Sequence, residues 1–315
     1  MTDRLLSRWR WLALVAGAGI VMAGCAAPAS TGSAPSGTGL SASGTSDSGG
    51  TSRSAAGTGQ SAAGSAAPAL PQCPAGALPT VAPGILTVGT SATPVSPWYI
   101  GDPSADATGL EPSVAVAIGS TLGYTRDDIV WTTVDPAAAR AGTAAGFDID
   151  LNQFTAADSG TATADYSTGY YSITDTLVMP ATVAQPPATV QDAATLTVAA
   201  VSGSSAASTA KRVTGRDPVT FAEQGQALAS LATGSVPALV LPTPAALAAA
   251  AADPAVRLVG QLPTDPSVQP DQLKVLLAKD SPLTGCVSAA IDRLRVEGTL
   301  DQLATQWINP LIPQL

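Results

Sequence analysis

From residue 85 onward, short apolar runs alternate with longer segments whose apolar positions recur every three or four residues. The first pattern suits strands buried in a sheet, the second helices packed upon it. Ile85-Leu86-Thr87-Val88 reads as a strand entered through Pro83-Gly84. Glu111 to Leu122 predicts a helix, with Val114, Ala115, Ile118 and Leu122 at helical spacing and Gly123 as its stop. Ile129-Val130-Trp131 predicts a second strand, Pro136 to Ala145 a helix opened by its proline, and Phe147 to Leu151 a third strand. Thr176 to Met179 is a further extended run.

A second series follows. Thr195 to Val201, Val236 to Leu241 and Val256 to Leu262 read as strands, and Glu223 to Ala232 and Pro244 to Ala252 as helices. Leu273 to Ala278 is strand-like, Leu283 to Val296 is an amphipathic helix closed by Gly298, and Thr299 caps a last helix through Trp307. Two βα series in succession predict an α/β protein of two lobes. The pattern itself does not say whether the chain crosses between them.

The N-terminal part lacks this periodicity. Arg4, Arg8 and Arg10 precede a short apolar stretch, Leu12 to Val21, well below the roughly 20 residues that span a bilayer. That is the layout of a removable export signal. Met22-Ala23-Gly24-Cys25 is similar to the bacterial lipobox, with Met22 in place of the usual Leu. The expectation is a signal peptide over 1–24, acylation at Cys25 and anchoring to the extracytoplasmic face of the membrane. The alternative is an ordinary signal with a chance cysteine. Residues 25–72 are mostly Ser, Gly, Ala and Thr, with Asp47 and Arg53 as the only charges and no aromatic, which predicts a flexible tether.

The formal charge is −9, and losing 1–24 removes three Arg and one Asp, leaving −11. An acidic chain with sparse Lys and Arg has no electrostatic footprint for nucleic acid. It contains no histidine, the commonest general base and metal ligand, and no recognisable nucleophile motif. No enzyme, metal or cofactor is expected. With Cys25 lipidated, Cys73 and Cys286 remain as an even pair in an oxidising compartment. They are either a disulfide or two unrelated thiols.

Several residues could carry binding. Asp148 and Asp150, two apart on a strand, share a face and could hold a cation or a proton, or simply cap a turn. Gly203-Ser204-Ser205 could open a helix whose N-terminus meets a polar ligand group, or be a plain capping turn. Trp98, Tyr99, Tyr166, Tyr170 and Tyr171 could supply stacking faces and hydroxyls, or core packing.

Taken in order, these segments resemble the bacterial family 3 solute-binding proteins, the polar amino-acid receptors of ABC importers. The resemblance rests on Gly84 to Thr90, Ser96-Pro97-Trp98-Tyr99, Gly109-Leu110-Glu111 with the following helix, Phe147-Asp148 and Asn152 to Thr155. It continues through Asp165-Tyr166-Ser167-Thr168-Gly169-Tyr170-Tyr171, Gly203-Ser204-Ser205, Leu277 to Leu283, Gly298-Thr299-Leu300 and Trp307. It implies a periplasmic-binding-protein-like fold of type II, with lobe one at 73–180 plus 278–315 and lobe two at 181–277, joined by two crossings. It also implies a Cys73–Cys286 disulfide and a small polar solute in the cleft. The cleft would be lined by Trp98, Tyr99, Asn152, Gln153, Thr155, Tyr166, Tyr170, Ser204 and Ser205. The implied partners are ABC permease subunits; the alternative is a sensor or interaction lipoprotein reporting to a membrane partner.

The resemblance fails at the charged anchors of an amino acid. Such a ligand is a zwitterion and needs a cation and an anion when buried. The family's Arg, counted back from Tyr166, falls on Gly160, and 157–163 holds no Lys or Arg. The family's lobe-two Asp falls within 234–242, which has no acid. The expected ligand is a neutral polar or weakly anionic solute, or none, unless Arg126 or Arg140 replaces the lost cation.

Overall fold

The computed structural model describes Leu70, Cys73 and residues 78–93, 95–102, 108–155, 157–160 and 162–315. The signal segment, Cys25 and nearly all of the tether lie outside the described residues. In chain order the first half contains β1 (Leu86–Thr90), α1 (Leu110–Thr121), β2 (Ile129–Thr133), α2 (Pro136–Arg140), β3 (Ile149–Phe154), β4 (Ala164–Ser172) and β5 (Asp175–Pro180). Then follow α3 (Val190–Ala194), β6 (Val198–Val201), α4 (Ser205–Thr214), β7 (Val219–Phe221), α5 (Gln224–Ala232), β8 (Ala238–Pro242), α6 (Thr243–Ala252) and β9 (Val256–Leu262). The chain ends with β10 (Gln272–Ala278), α7 (Thr284–Val296) and α8 (Thr299–Trp307).

Two five-stranded sheets share one plan. Their orders are β2-β1-β3-β10-β4 and β7-β6-β8-β5-β9. In each, four strands run the same way, and the fifth, reached through a crossing from the other half, lies antiparallel between two of them. The crossings are short, at 173–174 and 263–271. This corrects the expected boundaries at 180 and 277. β5 pairs with β8 and β9, and so belongs to lobe two, whereas β10 pairs with β3 and β4 and belongs to lobe one.

Helix boundaries follow local chemistry. α2 begins at Pro136 behind Asp135, whose carboxylate accepts from the N–H groups of Ala137 and Ala138, and it stops at Arg140 rather than Ala145. The last helix starts at Thr299, but its cap is Gly298 in the left-handed conformation, and Thr299 makes no capping bond. α1 buries Leu110, Val114, Ala115, Ile118 and Leu122 in a core with Leu86, Val88, Ile149 and Leu151 and with Val287, Ile291 and Leu294 of α7. Each large aliphatic side chain so buried contributes about 1.5–3 kcal/mol before entropy is charged against it.

Cys73 and Cys286 form the disulfide, with Cα atoms 5.6 Å apart, tying the start of the folded chain to α7. At the other end, the segment after α8 returns to lobe two. Gln261 N–H donates to the Pro313 carbonyl at 2.8 Å, and Leu315 N–H donates to the Gln261 carbonyl at 3.0 Å. A Cβ on Gly260 would lie 2.5 Å from Leu315 Cγ, so this return path needs a glycine beside it.

Candidate functional site

The parallel strands β1 and β3 end beside the first turns of α1 and α2, the place where open α/β sheets present ligand groups. A cavity of about 360 Å³ lies there, bordered by Thr90, Ser91, Tyr99, Glu111, Arg140, Asn152 and Gln153 among others. Asn152 braces its rim: its carbonyl oxygen accepts from Ser91 N–H at 2.7 Å, and its amide donates to Asp150 Oδ1. Gln153 adopts φ 56°, an uncommon left-handed backbone for a non-glycine residue. Its N–H donates to Glu111 Oε1 at 2.7 Å, and Tyr170 Oη donates to the same oxygen at 2.5 Å. Glu111 therefore joins α1, β3 and β4 at the cavity wall.

Burial raises the Glu111 carboxyl to about 7, with the bonds from Tyr170 and Gln153 opposing that rise. Asp150 is also pushed up to about 7, mainly by burial; the Asn152 bond opposes it and the Glu111 charge adds to it. It lies so close to β1 that a Cβ on Gly89 would be 3.0 Å from its Cγ, and its Oδ2 is buried without a hydrogen bond. Tyr99 and Tyr170 are both raised, chiefly by burial. Asp148 works apart from this group: its two oxygens accept from Val81 and Thr87 N–H, both at 2.7 Å.

Arg140 reaches the cavity, but its charge is partly spent. Its Nε donates to Asp158 Oδ1 at 2.8 Å, and its guanidinium carbon lies 4.9 Å from the centre of the Phe154 ring. Arg126 sits in an exposed turn before β2 and does not border the cavity. Gly160 is exposed, and β8 carries no acid.

Of the residues picked from sequence, Tyr99, Asn152 and Gln153 meet at this cavity. Trp98 does not. It is fully buried in the lobe-one core, edge-on to Tyr171 with centroids 5.3 Å apart. Thr155 is held through its N–H by Asp158, and Tyr166 packs edge-on to Phe154. Tyr170 is a buried prop for Glu111. Ser204 caps α4, accepting from Ala207 N–H, while Ser205 Oγ donates to Asp175 Oδ1 at 3.0 Å; neither borders the cavity. Glu111 was missed as a site residue because in sequence it is one helical position among twelve. The short spacing of Gly109-Leu110-Glu111 at a helix start was its only signal.

The model of the bacterial extracellular solute-binding proteins, family 3, matches residues 86–310. The chain belongs to this family. Its members bind small polar solutes outside the cytoplasm and deliver them to ABC permeases, and the two-sheet architecture with two crossings is their type II fold. The L-cystine solute receptor of Neisseria gonorrhoeae, in an unliganded open conformation, is 23% identical over 71% of this chain and 92% of its own, with a TM-score of 0.48. The arginine-, lysine-, histidine-binding protein ArtJ of Geobacillus stearothermophilus is 18% identical over 71% and 95%, with a TM-score of 0.40. An ancestral amino-acid-binding protein described as a precursor of cyclohexadienyl dehydratase is 22% identical over 71% and 94%, with a TM-score of 0.42. No curated protein matches this chain. Among the described residues, no helix is long and apolar enough to cross a membrane.

Proposed function

We propose that this family 3 protein is a lipid-anchored receptor that holds a small polar solute between its lobes and passes it to an ABC importer. The observation that carries this reading is the polar cavity of about 360 Å³ at the carboxyl ends of β1 and β3, in a chain of a solute-binding family. The anchor is Cys25, on the strength of the export layout and the Met22 to Cys25 motif. The solute is not an ordinary α-amino acid. Its carboxylate would find no cation at Gly160, and Arg140 is already engaged by Asp158. A charge-assisted pair lost at a buried site costs several kcal/mol, and each 1.4 kcal/mol is tenfold in affinity.

Calorimetry of the purified chain tests this against the common amino acids, sugars, polyols, amines and small carboxylates. The expected result is micromolar binding of a solute outside the amino acids, whose uptake falls in cells lacking the protein. Micromolar binding of an ordinary α-amino acid overturns the solute assignment. Normal uptake in those cells replaces the transport role with that of a sensor.

A further inference from the structure

One buried acid, Glu111, borders the cavity, a second, Asp150, lies behind it, and the cation at the wall, Arg140, is engaged by Asp158. Glu111 is 2% exposed yet borders the cavity, and both hydrogen bonds it accepts fall on Oε1, leaving Oε2 with none among the described residues. Behind it Asp150 is fully buried, with Oδ2 also unpartnered. Asp150 Oδ2 is thus an exception to the rule that buried polar groups are hydrogen-bonded, whereas Glu111 Oε2 is the carboxyl oxygen open to a donor at the cavity wall. Arg140 balances the two acids only in part: its charge favours ionised Asp150, but less than burial disfavours it. Its side chain is 38% exposed and bonded to Asp158, so the two charges cancel locally. Glu111 stands in the first turn of α1, where the helix dipole favours a negative charge, but burial outweighs this and holds the carboxyl at about 7.

The charge count then separates three kinds of solute. An anion would meet a neutral Arg140–Asp158 pair and one or two acids, and is repelled whenever either acid ionises. A neutral solute can accept or donate a hydrogen bond but leaves ionised acids unmatched. A cation with N–H donors completes Glu111 Oε2 and draws both acids into their ionised forms. Resting on the solute-binding reading above, we propose that the cavity receives the protonated amine or guanidinium group of its solute against Glu111, with Asp150 as the second negative charge. The solute class is then a small organic cation without an α-carboxylate, in place of the neutral or weakly anionic solute suggested by the sequence.

Methylammonium and guanidinium ions are minimal probes, with methanol and acetate as controls. In NMR titrations of the full chain labelled at its side-chain carboxyl carbons, saturable shifts are expected at Glu111 and Asp150 with the two cations and not with the controls. A small diamine, 1,4-diaminobutane, is expected to bind more tightly than 1,4-butanediol or succinate, and at least about tenfold more weakly to Glu111→Gln. That variant keeps an oxygen for Gln153 N–H and Tyr170, and Asp150→Asn provides a second test if it misfolds. Affinity should rise between pH 6 and 8 as the acids ionise. The other titratable groups facing Glu111 are Tyr170 from β4 and Tyr99 from the loop before α1, with Arg140 acting on Asp150 and Asp102 on Tyr99. Neither tyrosine ionises in that range. If the cations leave both acids unmoved while a sugar or polyol binds, the cation assignment falls and the solute-binding reading stands. If acetate binds and methylammonium does not, the site is an anion site and the proposal is overturned. If no probe and no solute binds, both readings fall.

Discussion

The two sheets follow one strand plan, yet their equivalent ends are equipped differently. In lobe one Glu111, Asn152, Gln153 and Tyr99 border a cavity beside the strand ends, with Asp150 buried behind them. All five tyrosines of the chain lie between residues 99 and 171. In lobe two, Phe221 is the one aromatic residue between β5 and β9, and the cores on either side of the sheet are built from Ala, Val and Leu with a single Met. Its polar groups at the strand ends are satisfied by each other. Thr174, Thr176 and Thr243 share hydroxyl bonds of 2.7–2.9 Å, and Asp175 takes the hydroxyls of Ser205 and Thr209. A connection explains part of the difference: β1 reaches α1 only through residues 91–109, whereas β6 reaches α4 through 202–204. The longer link has room to bring Tyr99 over the strand ends. The side chains that line this cavity thus all come from lobe one.

The largest effect that probes this asymmetry concerns the disulfide. Replacing Cys73 and Cys286 by Ser reopens a loop with a sequence separation of 213. A loss of about 2–5 kcal/mol is expected in denaturant unfolding. Hydrogen exchange should accelerate in α7 and around β1, both in lobe one, and little in β6 to β8. Equal acceleration in both sheets would mean that the lobes unfold as one unit and would break the comparison.

Next comes pH. Glu111 and Asp150 bind their protons more tightly in the folded chain than in the unfolded one. Between the ordinary carboxylate range and about 7 the folded state therefore holds more protons, and stability falls as pH rises through that window. Without ligand the loss is on the order of 3 kcal/mol for each acid between pH 4 and 8, levelling above. Glu111→Gln should flatten the slope, whereas Asp175→Asn in lobe two should leave most of it. A slope unchanged by Glu111→Gln would move the burden to another group.

How much of this was legible in sequence depends on the range of the interaction that decides it. Strands such as Val256–Leu262 and helices such as Thr243–Ala252 were readable because neighbours along the chain determine them. The sheet to which a strand belongs was not. β5 and β10 have ordinary strand patterns, and only partners dozens of residues away place them across the crossings. Trp98 looked like a stacking platform because aromatics are scarce here, but its neighbour Tyr99 is the one that borders the cavity. The unmet oxygen of Glu111 depends on Gln153 and Tyr170 both choosing Oε1, which no local pattern encodes.

A smaller effect is expected where the lobes meet. Gln261 is buried, and its amide nitrogen donates to the Ile312 carbonyl at 2.9 Å while its oxygen accepts from Thr174 Oγ1 at 2.8 Å. It joins β9, the first crossing and the C-terminal segment. Gln261→Leu fills similar space but takes a donor from the Ile312 carbonyl and from Asn309 Oδ1 and leaves Thr174 Oγ1 to Thr243 alone, at a cost of about 1–3 kcal/mol. Thermal unfolding should then separate into two transitions, and a single sharp transition would show that the hinge network does not couple the lobes.

The smallest effect sharpens the comparison at Ser204 and Ser205. Ser204 accepts from Ala207 N–H at the start of α4, so Ser204→Ala should cost about 1 kcal/mol as a lost N-cap. Ser205→Ala removes one of the two hydroxyls that hold Asp175, whose carboxyl is already raised by burial. Its pKa should rise further, and Thr209 should keep the loss of stability modest. If lobe two is only a cover, both variants should bind the solute within about twofold of the parent, a difference below 0.5 kcal/mol. A drop of tenfold or more in either would put these hydroxyls in contact with the solute, as their place at a helix N-terminus first suggested, and would make lobe two a chemical partner of lobe one.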